Sequence, residues 1–140
     1  MTGEEADRCG QYGAKAIVVS NHGARQLDTT FATVEALPEV VDAVDGQVEV
    51  YMDGGIRRGS DIVKAVALGA RAVLIGRPLF WGLAVDGQAG VRRVLQILKD
   101  EMEMTMTLCG RPTLASLDRT LLGFRSPLED VLPQAGGFSF

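Results

Sequence analysis

The chain has 140 residues, the size of one domain or of part of a larger one, and 46% of them are hydrophobic, enough for a packed core. Its net charge is −4 with both signs interspersed, which argues against nucleic acid or an anionic membrane as the main partner. No apolar run approaches the ~20 residues of a membrane-spanning helix. The acidic start predicts no signal peptide, and the two cysteines have no metal-binding spacing.

The first part of the chain predicts a helix, a strand and a second helix. Thr2 to Glu5 has the pattern of a capping box, which opens a helix that ends at Gly13. The apolar run 16–20 follows as a strand. Pro38 is expected in the first turn of the next helix, which runs to about Val44 and follows a turn or short helix through Thr33. This alternation of helix and strand is typical of α/β proteins.

The same alternation continues beyond this helix. The run 48–52 predicts a second strand, and Ser60-Asp61 is expected to cap a helix that stops at Gly69. The run 72–75 predicts a third strand, and a longer amphipathic helix is expected from about 89 to 108. The apolar positions on one side of that helix are Val91, Val94, Leu95, Leu98 and Met102.

The three predicted strands lack strict alternation of apolar and polar residues, which is typical of strands buried on both faces of a parallel sheet. Their order implies right-handed parallel crossovers. Three strands are too few for a closed barrel, which is built from eight βα units. The chain is therefore either a small open α/β sheet or a piece of a barrel. No linker divides residues 1–122, and the tail 123–140 is expected to be loosely ordered.

Glycine and arginine follow the second and third strands. Glycines let a phosphate approach backbone N–H groups, and an arginine adds a bidentate clamp. Because parallel strands end at the same rim, the two segments predict a phosphate cradle, in which Asp53 accepts a hydrogen bond from a sugar or ribityl hydroxyl. The alternative is that the glycines form turns and the arginines are solvated. The cradle residues are Asp53, Gly54, Gly55, Arg57, Gly76 and Arg77.

The only histidine of the chain lies in the segment that follows the first strand, Ser-Asn-His-Gly-Ala-Arg-Gln-Leu-Asp at 20–28. A histidine can act as a general base near neutral pH, so His22 is a candidate base. Arg25 can bind a carboxylate through two parallel hydrogen bonds. A base and a carboxylate clamp on one loop suit an acid whose reacting carbon lies next to its carboxylate. The alternative is a structural histidine.

These segments resemble the FMN-dependent α-hydroxy-acid oxidase and dehydrogenase family. The resemblance covers residues 1 to about 122 and is carried by the segments 20–28, 53–59 and 75–78. Within the family, the segments 37–41 and 81–84 resemble the animal forms of glycolate oxidase. Other phosphate-binding barrels share the glycine-arginine segments but not the histidine segment. The resemblance implies a partial TIM (β/α)8 barrel, with about the last three βα units and the preceding helix.

The resemblance also implies a role for each site residue. His22 matches the base that removes a substrate proton as electrons pass to the flavin, and Arg25 matches the residue that binds the substrate carboxylate. The implied cofactor is FMN, with no metal. The implied reaction is oxidation of a short (S)-2-hydroxy acid, glycolate- or lactate-like, to a 2-oxo acid, with O2 as electron acceptor. The residues that match FMN contacts are Ser20, Asp53, Gly54, Gly55, Ile56, Arg57, Gly76 and Arg77.

Two interpretations follow, because the flavin and substrate contacts of the family's N-terminal half have no counterpart in these 140 residues. Either the chain carries out the family reaction, or it is a catalytically incomplete fragment that binds FMN phosphate weakly or needs the missing half-barrel. A homo-oligomer is a further option, since a part-barrel has open edge strands. An intracellular location is expected, in the peroxisome or the cytoplasm by family, although the final tripeptide is not a peroxisomal signal.

Overall fold

Three parallel strands form one sheet in the computed structural model, which describes residues 2–123. The strands are β1 (Ala16–Val19), β2 (Glu49–Met52) and β3 (Ala72–Val73). They lie side by side in chain order, β1-β2-β3, with Ala16 in register with Glu49. The three predicted strands are thereby confirmed, although β3 is shorter than the apolar run that predicted it.

Helices precede, connect and follow the strands. They are α1 (Gly3–Gln11), α2 (Thr33–Val44), α3 (Gly59–Ala67) and α4 (Arg77–Leu108). The predicted capping box is confirmed at the start of α1. There the Thr2 hydroxyl accepts a hydrogen bond from the Glu5 N–H at 3.3 Å, and the Glu5 carboxylate accepts one from the Thr2 N–H at 2.8 Å. Between residues 2 and 123, no helix is both long and apolar enough to cross a membrane.

The predicted position of Pro38 in a first helical turn was wrong. Helix α2 begins at Thr33, so that Pro38 lies inside it. The carboxylate of Glu35 accepts a hydrogen bond from the Ala32 N–H at 3.1 Å and so stabilises the earlier start. Pro38 has no N–H to donate to the carbonyl four residues before it, so the helix loses one hydrogen bond there. The neighbouring Leu37 is fully buried, and this packing holds the helix together across the proline.

The predicted cap of α3 was partly wrong. The residue before the helix is Arg58, and Ser60 lies inside the first turn. Asp61 stabilises the start of the helix from a position inside the first turn. Its carboxylate accepts hydrogen bonds from the Arg57 and Arg58 N–H groups at 3.0 and 2.9 Å. A carboxylate in the first turn of a helix also interacts favourably with the helix dipole.

Helix α4 is longer than predicted and bent. It begins at Arg77, and its helical geometry breaks at 86–87, where Gly87 has a φ of +48°. The two halves approach each other closely at a pair of glycines. A Cβ added at Gly82 would lie 2.6 Å from the Gly90 carbonyl oxygen, and one added at Gly90 would overlap with the Gly82 carbonyl oxygen. The bend therefore depends on the absence of side chains at these two positions.

The predicted apolar side of this helix is only partly confirmed. Leu98 is buried, but Leu95 is 48% exposed. Met106, which was not predicted, is buried instead and packs against Val63 of α3. The buried side of α4 is thus narrower than the apolar periodicity predicts. It packs against α3, against the segment after α4 and, near Val94, against the first half of α4 itself.

The hydrophobic core lies on one face of the sheet. Ile17 and Val19 of β1 and Met52 of β2 are buried there, in a core that includes residues of α1, α2 and α3. On the opposite face Val18 is 37% exposed, so the prediction of strands buried on both faces was wrong for this chain. Strands in chain order with helices on one face form a barrel wall, whereas a doubly wound sheet has helices on both faces. The fold is therefore a partial TIM barrel.

Residues 124–140, which make up all but the first residue of the predicted tail, lie outside the described residues.

Glu101 joins α4 to the start of α3. Its carboxylate accepts hydrogen bonds from the Gly59 N–H and from the Arg58 guanidinium, both at 2.9 Å. Both hydrogen bonds hold the pKa of Glu101 below its ordinary value of 4.5. The bond from the Gly59 N–H has the larger effect, and the bond from the Arg58 guanidinium has the smaller one. A carboxyl whose pKa is lowered by folding stabilises the fold above its ordinary pKa. That contribution is lost as the pH falls through the folded-state pKa.

We expect Glu101→Gln to lower the free energy of unfolding at neutral pH and to have less effect as the pH falls below 4.5. The effect shrinks because the wild-type carboxyl also becomes neutral there. Urea unfolding followed by circular dichroism across this pH range measures it. Glu103→Gln is the matched control, since Glu103 forms an exposed ion pair with Lys99 at 3.6 Å. An effect of Glu101→Gln that does not change with pH would contradict the prediction.

Candidate functional site

The carboxyl ends of the three strands open into one cavity of about 650 Å³. Its walls are the loops that follow β1, β2 and β3 and the first turns of α2 and α4. All predicted site residues except Ser20 line it, and their functional roles remain predictions. The lining residues among them are His22, Arg25, Asp53, Gly54, Gly55, Ile56, Arg57, Gly76 and Arg77.

The loop after β1 holds the histidine in an unusual backbone conformation. His22, Gly23 and Ala24 all have positive φ, at 52°, 65° and 57°. Non-glycine residues in this region cost about 1–3 kcal/mol each and persist only where neighbouring groups hold them. Here the Ser20 hydroxyl accepts a hydrogen bond from the His22 N–H at 3.1 Å, and the Asn21 amide oxygen accepts one from the Gly23 N–H at 3.0 Å. Strain of this kind concentrates at functional sites.

Arg25 ends the same loop. Its backbone N–H donates to the carbonyl of His22 at 3.4 Å, so the two residues are joined by the short helical turn His22–Ala24. Both residues are exposed, and both line the cavity. A guanidinium can hold a carboxylate at this rim, while a neighbouring imidazole can take a proton from the same small molecule.

The loop after β2 offers a hydrogen-bond acceptor and open backbone. The Oδ1 atom of Asp53 is buried and has no hydrogen-bond partner within residues 2–123. A buried carboxylate oxygen is costly without a donor, and a ligand hydroxyl would supply one. Gly54 and Gly55 follow with φ of +82° and +76°, which side chains rarely adopt. A Cβ added at Gly55 would meet no atom within 4 Å, so its backbone faces open space.

The loop after β3 adds positive charge at the start of α4. Gly76 precedes the first residue of this helix, and a Cβ added there would also meet no atom within 4 Å. Arg77 is the first helical residue, and it lines the cavity together with Arg57 of the neighbouring loop. The N-terminus of a helix and two guanidinium groups attract an anion such as a phosphate. With the unpaired oxygen of Asp53, this set fits a ligand that carries both hydroxyls and a phosphate.

Several further residues of the cavity were not among the predicted site residues, and four of them carry aromatic or polar side chains. Phe80 and Trp81 come from the first turns of α4 and are 68% and 53% exposed, and their closeness to Arg77 in sequence could have indicated them. Asn21 and Thr33 also line it. Nothing in the sequence around Thr33 indicated a place in the site, because its importance depends on a contact with the loop after β2. In the part of the chain that the structure describes, no group of three or more His, Cys, Asp or Glu could hold a metal ion.

The sequence profile of a family described as FMN-dependent dehydrogenase matches residues 1–123. The chain belongs to this family. Two similar relatives are L-lactate oxidase of Nostoc sp., 57% identical over 122 residues, and glycolate oxidase 3 of Arabidopsis thaliana, 55% identical over 120 residues. The matches cover 87% and 86% of this chain but 33% of each relative.

A solved structure of the same kind is also similar. The crystal structure of mandelate oxidase with (S)-2-phenylpropionate superimposes with a TM-score of 0.82 at 50% identity, over 84% of this chain and 35% of that one. The chain therefore spans about a third of the length of the proteins that it matches. These comparisons confirm the family resemblance, and they confirm the prediction of a partial barrel.

Proposed function

We propose that this chain carries the substrate-binding and FMN-binding rim for oxidation of a short 2-hydroxy acid to a 2-oxo acid. One observation carries the proposal. The His22 loop, the Asp53 loop and the Gly76-Arg77 loop, which are far apart in sequence, line one cavity at the carboxyl ends of three adjacent strands. Chemistry gathers at this end of parallel strands in barrel enzymes. Similarity to lactate, glycolate and mandelate oxidases supports the substrate class.

In this proposal each residue at the rim has a separate task. Arg25 holds the substrate carboxylate through two parallel hydrogen bonds and so turns the hydroxyl-bearing carbon toward His22. An imidazole nitrogen of His22 takes a proton from the substrate as general base. The reaction removes two electrons and two protons from the 2-hydroxy acid. FMN supplies the electron-accepting chemistry when it is bound, and we propose O2 as the final acceptor.

The residues that would hold FMN are those with unused hydrogen-bonding capacity. The buried Oδ1 of Asp53 would accept a hydrogen bond from a ribityl hydroxyl. The open backbone at Gly55 and Gly76 and the guanidinium groups of Arg57 and Arg77 would bind the phosphate. We also retain Ser20, Gly54 and Ile56 as proposed cofactor neighbours, with Ser20 acting at the base of the His22 loop.

A second candidate function is binding of FMN through its phosphate without turnover. It is favoured by the open face of the sheet, where Val18 is 37% and Leu74 is 47% exposed. The chain also spans only 33% of its relatives. In the whole family barrel other strands would cover this face, and their residues would surround the flavin ring. Under this candidate, the 140 residues hold the phosphate while turnover needs the remaining barrel or a second copy of the chain.

An FMN titration of the purified chain, followed by flavin fluorescence and circular dichroism, separates these functions. Riboflavin, which lacks the phosphate, is the matched control and should bind at least about tenfold more weakly if the arginine loops bind phosphate. Glycolate or lactate is then added without oxygen. Bleaching of the flavin supports the oxidase function, and binding without bleaching supports the second candidate. Absence of saturable FMN binding would contradict both.

A further inference from the structure

Thr33 is the one buried polar residue in the described range 2–123, with 5% of its surface exposed. It is the first residue of α2, yet its hydroxyl reaches a loop twenty residues further along the chain. That hydroxyl donates to the carbonyl oxygen of Asp53 at 2.5 Å and lies 3.5 Å from the carbonyl oxygen of Gly54. At the start of α2 the Glu35 carboxylate accepts a hydrogen bond from the Ala32 N–H, and the Thr33 hydroxyl takes no part in this contact.

The segment 31–33 also binds the histidine loop. The side-chain amide of Asn21 donates to the Phe31 carbonyl at 3.3 Å, while its oxygen accepts from the Gly23 N–H at 3.0 Å. Both side chains converge on Gly54. A Cβ added at Gly54 would lie 3.1 Å from the Thr33 hydroxyl and 3.4 Å from the Asn21 amide oxygen. The start of α2 therefore lies between the two loops that carry the proposed base and the proposed cofactor contact.

We propose that Thr33 is a positioning residue for the turn at 53–55. The peptide unit is planar and trans, so a carbonyl that is held on one side directs the next N–H to the opposite side. By holding the Asp53 carbonyl, the Thr33 hydroxyl sets the direction of the Gly54 N–H and the start of a turn with two successive positive φ values. Through Asn21, the same segment keeps this turn in register with His22. The functional meaning of this positioning rests on the proposed FMN site.

Two substitutions separate the hydroxyl from the volume of the side chain. Thr33→Val removes the hydroxyl and keeps the shape, whereas Thr33→Ser keeps the hydroxyl. Hydrogen–deuterium exchange of the full chain without ligand should be about tenfold faster over 53–57 in Thr33→Val, and near the wild-type rate in Thr33→Ser. Exchange over 3–11 reports any general loss of stability. If the valine variant does not fold, Thr33→Ala removes the same hydroxyl without placing a methyl group against the loop.

FMN affinity supplies the second measurement. We expect Thr33→Val to weaken FMN binding by about tenfold and Thr33→Ser by less than about threefold. Equal exchange over 53–57 in the valine and wild-type chains would overturn the positioning role, and so would unchanged FMN affinity in Thr33→Val. If the wild-type chain binds no FMN while exchange still rises in Thr33→Val, the proposed function fails and the structural role of Thr33 stands.

Discussion

A His22→Asn variant of the FMN-loaded chain should bind FMN as the wild-type chain does and reduce it about 10²–10⁴-fold more slowly when a 2-hydroxy acid is added. The physical reason is that asparagine cannot take the substrate proton. Asparagine is the better replacement because His22 has a φ of +52°, a conformation that asparagine adopts more readily than most residues. A loss of activity can then be assigned to the imidazole rather than to a rearranged loop.

The measurement is the rate of flavin bleaching after anaerobic mixing with glycolate or lactate. His22→Gln is a useful companion, since it also removes the base but places a longer side chain at the same positive φ. Gln26→Ala is the matched control, because Gln26 is an exposed residue of the same segment and does not line the cavity. If both histidine variants bleach the flavin at the wild-type rate, His22 is not the base of the reaction.

Gly90→Ala is expected to destabilise the fold by about 3 kcal/mol, at the upper end of the usual cost of overpacking. The new methyl group would overlap with the carbonyl oxygen of Gly82 on the other half of α4. Because the obstacle is backbone, no side-chain rotation can relieve it, and the two halves of the bent helix must separate. Gly82→Ala should act similarly, since its Cβ would lie 2.6 Å from the Gly90 carbonyl oxygen.

Thermal unfolding followed by circular dichroism measures this effect, and for a chain of this size a loss of about 3 kcal/mol lowers Tm by about 10 °C. Gly76→Ala is the matched control. It makes the same chemical change immediately before the same helix, where an added Cβ meets no atom within 4 Å. A similar Tm for the two alanine variants would show that the halves of α4 do not contact each other in solution as they do here.

Sequence patterns predicted the parts of this fold that depend on local spacing. The capping box at Thr2 and Glu5 was recognisable because both partners lie within one turn. The strands were recognisable as short apolar runs. The start of α2 was not, because proline is common in first turns, and the turn predicted through Thr33 was therefore taken as separate from the helix at Pro38. The bend in α4 was also missed, since the apolar pattern beyond it resembles an ordinary helix.

The exposed face of the sheet shows a second limit on what a sequence pattern can predict about burial. Apolar runs such as the one around Val18 predict burial on both faces, and they would be buried in a complete barrel. In these residues one face remains open. The apolar pattern therefore matches the burial that these strands would have in a whole family barrel. The structure shows the lower burial that they have in the third of the barrel that this chain spans.

The order of residues along the chain was enough to identify the family and the chemically capable groups, because histidine, arginine, aspartate and glycine act through their own side-chain and backbone chemistry. Their assembly into one cavity, and the supports beneath it, came only from the tertiary structure. Thr33 meets Asp53 across 20 residues, and Glu101 meets Gly59 across 42. Contacts between residues so far apart depend on how the strands and helices pack, and no local pattern encodes them.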